Sequence, residues 1–199
     1  MLVNMVFSRY YMRMNPNEIY NYVERLSELL RIDSRKAGAA HGLQPVQLEV
    51  LHYLLICNRY SDTLMAVTEY LGQTKGTVSQ TLKVLEKKGL LSKQVDSSDK
   101  RICHMKVSSK GKQLLDKTIP TTMFVNACEV LSDNKQSEIT SSLKQLLITL
   151  LQANQMKTFG VCSSCRYNGK AEGGSYYCNL VEEPLEDDDI HLICREHTL

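Results

Sequence analysis

A chain of 199 residues, 43% of them hydrophobic, has room for one substantial domain plus an appendage and enough apolar mass for a packed core, which excludes global disorder. No apolar run approaches the ~20 residues that cross a bilayer, and the first residues lack the charged–apolar–small order of a secretion signal, so the reading is cytoplasmic. The net charge of +2 hides a division: residues 1–161 hold 21 Lys/Arg against 14 Asp/Glu, while residues 162–199 hold 3 against 8.

Residues 1–14 read as a short arm, disordered or strand-like, with a later start codon at Met5, Met12 or Met14 as the alternative. Asn15 is a candidate N-cap, Pro16 suits the first helical position and Glu18 can close a capping box. Ile19, Val23, Leu26, Leu29, Leu30 and Ile32 then mark an apolar face through about Arg35, and Gly42 ends the following polar turn. Pro45 opens a second helix whose Val46, Leu48, Leu51, Leu54, Leu55 and Ile56 are too apolar for a half-exposed surface, so it is expected at the centre of the core, with Cys57 as a buried thiol at its end. Asp62 or Thr63 caps a third helix with Leu64, Val67 and Leu71 inward, and Gly72 makes the next turn.

Thr74 caps the fourth helix, its hydroxyl facing the free N–H of Thr77. Val78, Leu82 and Leu85 form its apolar stripe, Gly76, Gln80, Lys83 and Lys87 fall opposite, Thr77 and Ser79 lie on the flanks, and Gly89 stops it. Two helices joined by a short glycine turn have the helix-turn-helix form. Leu90, Leu91 and Val95, a polar turn over 96–101, and Ile102, His104, Lys106 and Val107 then predict a hairpin, a wing on the second helix. Residues 72–117 carry 11 basic against 4 acidic side chains, as a phosphate-binding surface would, although lysine-rich helix faces are often only solvated.

A fifth helix from Ser108 or Ser109 carries Leu114, Leu115, Ile119, Met123, Phe124, Ala127 and Val130, with a kink or break near Ile119 imposed by Pro120. A sixth follows Ser132-Asp133. Its stripe of Ile139, Leu143, Leu146, Leu147, Leu150 and Leu151 is either ordinary core or a dimer seam, and Gly160 is expected to break it.

LGQTKGTVSQTLKVLEKKGLLSKQVDSSDKRICHMKVSSKGKQLL resembles the winged helix-turn-helix core of the MarR family of transcriptional regulators, in its LG turn, its TVS helix ending in LEKKGL, its D-x-x-D-K-R wing and its S-x-K-G helix start. The resemblance covers roughly residues 15–155. It implies a mainly α fold with a two-stranded wing, a homodimer formed by the N- and C-terminal helices, a pseudo-palindromic double-stranded DNA operator and a small-molecule effector. It also implies that Thr74, Lys75, Gly76, Thr77, Ser79, Gln80 and Lys83 enter the major groove. Arg101 would reach the minor groove or its phosphates, held by Asp99, with Lys100 on the backbone. The helix lacks the early arginine that many relatives carry, so Lys75 and Gln80 have more of any base readout to perform.

The remaining segment has the spacing C-x2-C-x12-C-x15-C over Cys162, Cys165, Cys178 and Cys194, with His191 and His197 beside the last. Four thiols in a chain without a secretion signal point to a metal site rather than disulfides. Zinc is the first reading, an iron–sulfur cluster on the same four cysteines the alternative, and four unmetallated thiols the bland one. Gly169, Gly173 and Gly174 suit a tight loop or hairpin, and the segment is too poor in apolar residues to fold without a staple. Cys103 and Cys128 read as packing residues. The acidic run from Glu182 to Asp189 reads as a solvated loop, or as a device that repels DNA or covers the basic face.

The expected organisation is an arm over 1–14, a dimerisation helix over 15–44, a winged helix-turn-helix over 45–110, dimerisation helices over 111–159 and a cysteine-rich module over 160–199. The expected function is sequence-specific DNA binding by a repressor released by a small molecule or a redox or metal signal; the competing reading is a winged helix used for protein contact. No nucleophile–base spacing or phosphate loop supports an enzyme.

Overall fold

In the computed structural model, residues 16–171 and 173–199 are described; the expected arm and the Asn15 cap lie outside them. Among the described residues, seven α-helices, a two-stranded hairpin and a small three-stranded sheet follow one another: α1 Pro16–Ala39, α2 Pro45–Ile56, α3 Leu64–Leu71, α4 Lys75–Lys87, β1 Leu91–Val95, β2 Cys103–Val107, α5 Ser109–Thr118, α6 Thr122–Glu129, α7 Asp133–Ala153, then β3 Asn168–Lys170, β4 Tyr176–Cys178 and β5 Glu183–Pro184.

Helix α2 is the centre, as its composition predicts. Leu48, Val50, Leu51, Tyr53 and Leu54 are buried, and α1, α3, α4, α5 and β2 all pack on it. Gln47 folds its side chain back to the Gln44 N–H at 3.1 Å and closes its first turn. Cys57 ends it as a buried thiol that burial pushes up to about 12, a packing residue rather than a nucleophile. Helix α1 continues past Arg35 to Ala39, because Gly38 lets the two helices close: a side chain there would strike Leu48.

Pro120 does more than kink the fifth predicted helix. The chain breaks at Ile119–Pro120 into α5 and α6, since proline offers no N–H to continue the ladder. Helix α7 starts where expected, Ser132 accepting from the Lys135 N–H, but it ends at Ala153, well before Gly160. Asn154 caps the last turn, donating from Nδ2 to the Leu150 carbonyl at 2.8 Å, and Gln155 takes the left-handed conformation at φ 54°. Gly160 serves a different purpose: a Cβ there would fall 2.5 Å from the His197 ring.

The cysteine segment folds into antiparallel β3–β4–β5 between two 3-10 turns, Cys162–Ser164 and Asp189–His191. Gly173 and Gly174 make the β3–β4 turn at φ 104° and 87°. Its apolar centre is small: Cys162, Leu185 and Ile190, with Tyr60, Tyr176 and Cys178 against them. The module docks on the winged-helix lobe by backbone pairing, with the Ile193 N–H donating to the Ile56 carbonyl and the Asn58 N–H to the Ile193 carbonyl, each at 2.9 Å.

Gly111, the glycine of the S-x-K-G stretch, sits at the start of α5 where a Cβ would press on the Leu90 carbonyl and on Val107. Replacing Gly111 by alanine should lower stability by about 1–3 kcal/mol through overpacking. Urea denaturation checks this, with Gly72→Ala as a comparison in which strain comes from φ 61° and not from contact.

Candidate nucleic-acid interface and cysteine site

Helix α4 turns one face to the core and one to solvent. Val78, Thr81, Leu82 and Leu85 are buried, while Thr74, Lys75, Gly76, Thr77, Gln80 and Lys83 are exposed and Ser79 is half-buried. The Thr74 hydroxyl accepts the Thr77 N–H at 3.2 Å and lies 2.9 Å from the Thr77 hydroxyl, so the cap sets both threonines. Gly72, in the left-handed conformation, aims α4 away from α3. Among the described residues, the lysine and arginine ion pairs of α4 and the wing are Lys93–Glu86, Arg101–Asp99 and Lys106–Asp62. Lys75, Lys83 and Lys100 are left without one among the described residues, so their charge is available to phosphate.

The wing pairs Leu91 with Val107 and Val95 with Cys103 at its ends. Its tip is pre-set by carboxylates. Asp96 accepts the N–H groups of Ser98 and Asp99 at 2.7 Å each, which hold its pKa down to about 2, with His104 adding to the effect. Asp99 grips Arg101 in a fork, Nε–Oδ1 2.9 Å and Nη2–Oδ2 2.7 Å, yet the arginine side chain stays 90% exposed. The pair therefore orients Arg101 outward rather than hiding it.

The base of the wing rests on Asp62, a residue that the sequence offers only as a possible helix cap. Thr63 takes that task, accepting the Ala66 N–H at 3.4 Å. Asp62 is buried and faces the wing instead: its carbonyl accepts the Met105 N–H at 2.8 Å, and its carboxylate meets His104 Nδ1 and Lys106 Nζ. His104 Nε2 reaches Asp96 at 3.2 Å, so one imidazole ties the wing tip to the lobe. No local pattern announces this contact, which spans 42 positions.

Cys162, Cys165, Cys178 and Cys194 line one cavity of about 30 Å³ together with Asn58, Tyr60 and Asn168. The 3-10 turn puts the Cys165 N–H 3.0 Å from the Cys162 carbonyl, which folds C-x2-C into a knuckle. Two donors point at sulfur: Asn168 Nδ2 at 3.4 Å from Cys162 and the Thr198 N–H at 3.5 Å from Cys165. Burial pushes the Cys162 thiol up; the Asn168 bond opposes this and the three neighbouring thiols add to it. The sulfurs share the cavity without being drawn into a closed set: among the described residues no three Cys, His, Asp or Glu donors already meet at one ion position. In donor chemistry, soft thiols with N–H groups aimed at two of the sulfurs are the kind of set that a thiolate-bound metal takes.

His197 does not join the set. Its Nδ1 lies 2.7 Å from the Thr158 hydroxyl and its Nε2 3.0 Å from that of Ser164, and burial lowers its pKa. His191 is exposed on its 3-10 turn. Most of the acidic run is exposed, as a solvated loop would be, and it is anchored to the lobe at three of its carboxylates. Tyr60 donates to Glu183 at 2.8 Å, and Arg59 reaches Glu186 at 3.4 Å and the buried Asp189 at 3.6 Å.

Fold and surface define a winged helix-turn-helix protein. Residues 41–102 match the model of the MarR family. The chain is 28% identical over 146 residues to YkoM of Bacillus subtilis (strain 168), described as an uncharacterized HTH-type transcriptional regulator, across 67% of this chain and 92% of that protein. Its fold is similar to a MarR transcriptional regulator from Methanosarcina mazei Go1, with TM-score 0.59 at 23% identity over 69% of this chain and 99% of that one. It is also similar to S. aureus MepR in a DNA complex, with TM-score 0.53 at 23% identity over 65% and 97%. These likenesses show the winged helix-turn-helix fold, and about a third of the chain lies outside the relatives compared. Among the described residues, no helix is long and apolar enough to cross a membrane.

The His104 clamp gives a pH dependence. Burial lowers its pKa, but Asp62 and Asp96 outweigh burial and the net direction is up. The folded value thus lies above the unfolded value of about 6.5, so the stabilisation is complete below about pH 6.5 and is lost as pH rises through the folded pKa. Thermal melting of the wild type should lose stability relative to His104→Gln over that rise; parallel curves would mean that the imidazole does not pin the wing.

Proposed function

We propose that this chain is a DNA-binding transcriptional repressor of the MarR type that reads a pseudo-palindromic operator as a homodimer and carries a zinc-bound cysteine module. The observation that supports it most is the exposed face of α4, small hydroxyls and Gln80 followed by lysines with no ion-pair partner among the described residues, beside a wing tip that presents Arg101. Gln80 and Lys75 would contact base edges, with Thr74, Gly76, Thr77, Ser79 and Lys83 lining the groove. Lys100 and Arg101 would contact backbone or minor groove, with Asp99 steering Arg101.

The dimer reading is supported by apolar residues left exposed on two helices: Val23, Leu26, Leu29 and Leu30 of α1, and Ile139, Leu143, Leu147 and Leu150 of α7. Patches of this kind on a single chain mark association surfaces. A two-fold pair of α4 helices is also what half-sites one helical turn apart require. An effector seated between the dimerising helices and the DNA-binding lobe would release DNA by favouring a spacing that no longer fits, at a differential of a few kcal/mol.

Cys162, Cys165, Cys178 and Cys194 would hold the metal. When bound, zinc supplies the positive charge that keeps four thiolates together and so closes a module whose own apolar centre is slight. The same four cysteines would suit an iron–sulfur cluster. Metal analysis with an absorption spectrum separates them: a colourless protein with one zinc per chain is expected, and a brown iron-containing protein would overturn the zinc assignment.

Selection of binding sites from random duplexes tests the regulator reading, with an inverted repeat as the expected product and no enrichment as the contrary result. Arg101→Ala should weaken all selected sites alike, whereas Gln80→Ala should cost about 1–3 kcal/mol at particular base pairs and relax preference there. Uniform losses for Gln80→Ala would remove it from base readout.

A further inference from the structure

We infer that Arg195 is the positioning residue through which the cysteine module fixes the pose of the helix-turn-helix. The inference rests on the DNA-binding and metal-binding readings above and assigns a route between them. Cys194 is the only one of the four thiols whose two sequence neighbours are both tied to the winged-helix lobe among the described residues. On one side Ile193 pairs by backbone with Ile56 and Asn58 at the end of α2. On the other, the Arg195 N–H donates to the buried Ser61 hydroxyl at 2.8 Å, and its guanidinium forks onto Glu69 of α3, Nε–Oε2 2.7 Å and Nη2–Oε1 2.6 Å. Glu69 stands three positions before Gly72, the turn that aims α4.

The fork is partly shielded, with side chains 28% and 31% exposed, and it does not stand alone. Arg195 also meets Glu196 at 2.9 Å, and Glu196 meets Lys157 at 2.6 Å. A planar fork of charge-assisted bonds fixes orientation as well as distance. Ser61 is itself held: its hydroxyl donates to Asn58 Oδ1 and its carbonyl accepts from Tyr53, each at 2.8 Å. The next residue is Asp62, on which the wing rests. The segment 58–62 therefore carries the module through Asn58 and Ser61 and the wing through Asp62.

Drawing the four sulfurs onto one ion fixes Cys194, and with it the neighbouring Arg195. That arginine then holds α3 and the 58–62 segment in the pose that presents α4 and the wing together. Releasing the sulfurs frees Arg195 and widens the range of α3. A group that binds one pose and not the other shifts the balance between them.

Amide hydrogen exchange on the full chain, zinc-loaded and chelator-stripped, tests this directly. Stripping should raise exchange in α3 and in 58–62 as well as in the module. Zinc-loaded Arg195→Ala should keep its zinc and its module protection, yet show α3 exchange close to that of stripped wild type. The reciprocal pair Glu69→Arg with Arg195→Glu should restore protection of α3. The inference is overturned if stripping changes exchange only within 160–199, if Arg195→Ala leaves α3 as protected as in the loaded wild type, or if that variant loses zinc. The last result would make Arg195 a builder of the site rather than its link. Because exchange is read without DNA, absence of DNA binding would count against the regulator reading alone. Where DNA binds, Arg195→Ala should weaken it several-fold and abolish its response to chelator.

Discussion

Everything in the lobe depends on burying the apolar side of α2. An amphipathic helix needs cover on one narrow face; α2, with Leu48, Val50, Leu51 and Tyr53 wholly inaccessible, needs neighbours over most of its surface and leaves only the side of Glu49 to solvent. Helices α1, α3, α4 and α5 and strand β2 supply them. Burial of this kind is the main favourable term in folding a chain of this size. It also explains two local choices: Gly38 brings α1 close to Leu48, and Gly111 lets α5 start against the Leu90 carbonyl. With α2 fixed, its exit at Ile56 and Cys57 becomes a rigid point, and it is there that the C-terminal segment attaches through Ile193.

From that point charge organises the outer parts. The basic surplus of residues 72–117 is held open by caps and carboxylates that fix geometry without cancelling it. Thr74 sets the start of α4, Asp99 steers an exposed Arg101, and Asp96 shapes the turn between them. Part of the acidic surplus of the tail is held elsewhere, with Glu183, Glu186 and Asp189 on Tyr60 and Arg59. Opposite charges in one chain thus find separate partners, and the lysines of α4 keep theirs for solvent or phosphate.

Local features were legible in the sequence, and long-range ones were not. The Thr74 cap, the Val78–Leu82–Leu85 stripe, the glycine turns and the wing hairpin all rest on contacts within a few residues, and all appear where the pattern puts them. The break at Pro120 follows from the proline itself, which offers no N–H and crowds the preceding turn. Gly160 predicts too late an end for α7, because the capping amide of Asn154 and the left-handed Gln155 come first. Asp62 looked like a cap because Asp and Thr are both good caps; only the folded wing shows which one is needed elsewhere. The spacing of the four cysteines placed them together, but nothing in it said that the module would lean on α3 through Arg195 and Glu69.

In the proposed complex the lysines of α4 and the wing meet phosphate. The most direct measurement is the affinity of the full chain for the duplex upstream of its own coding sequence, titrated with salt. The account predicts a linear fall of log affinity with log salt, with a slope reflecting several phosphate contacts, and tighter binding than to unrelated duplex of equal length. Binding that is absent, or that does not change with salt, would contradict it and turn this winged helix toward a protein partner.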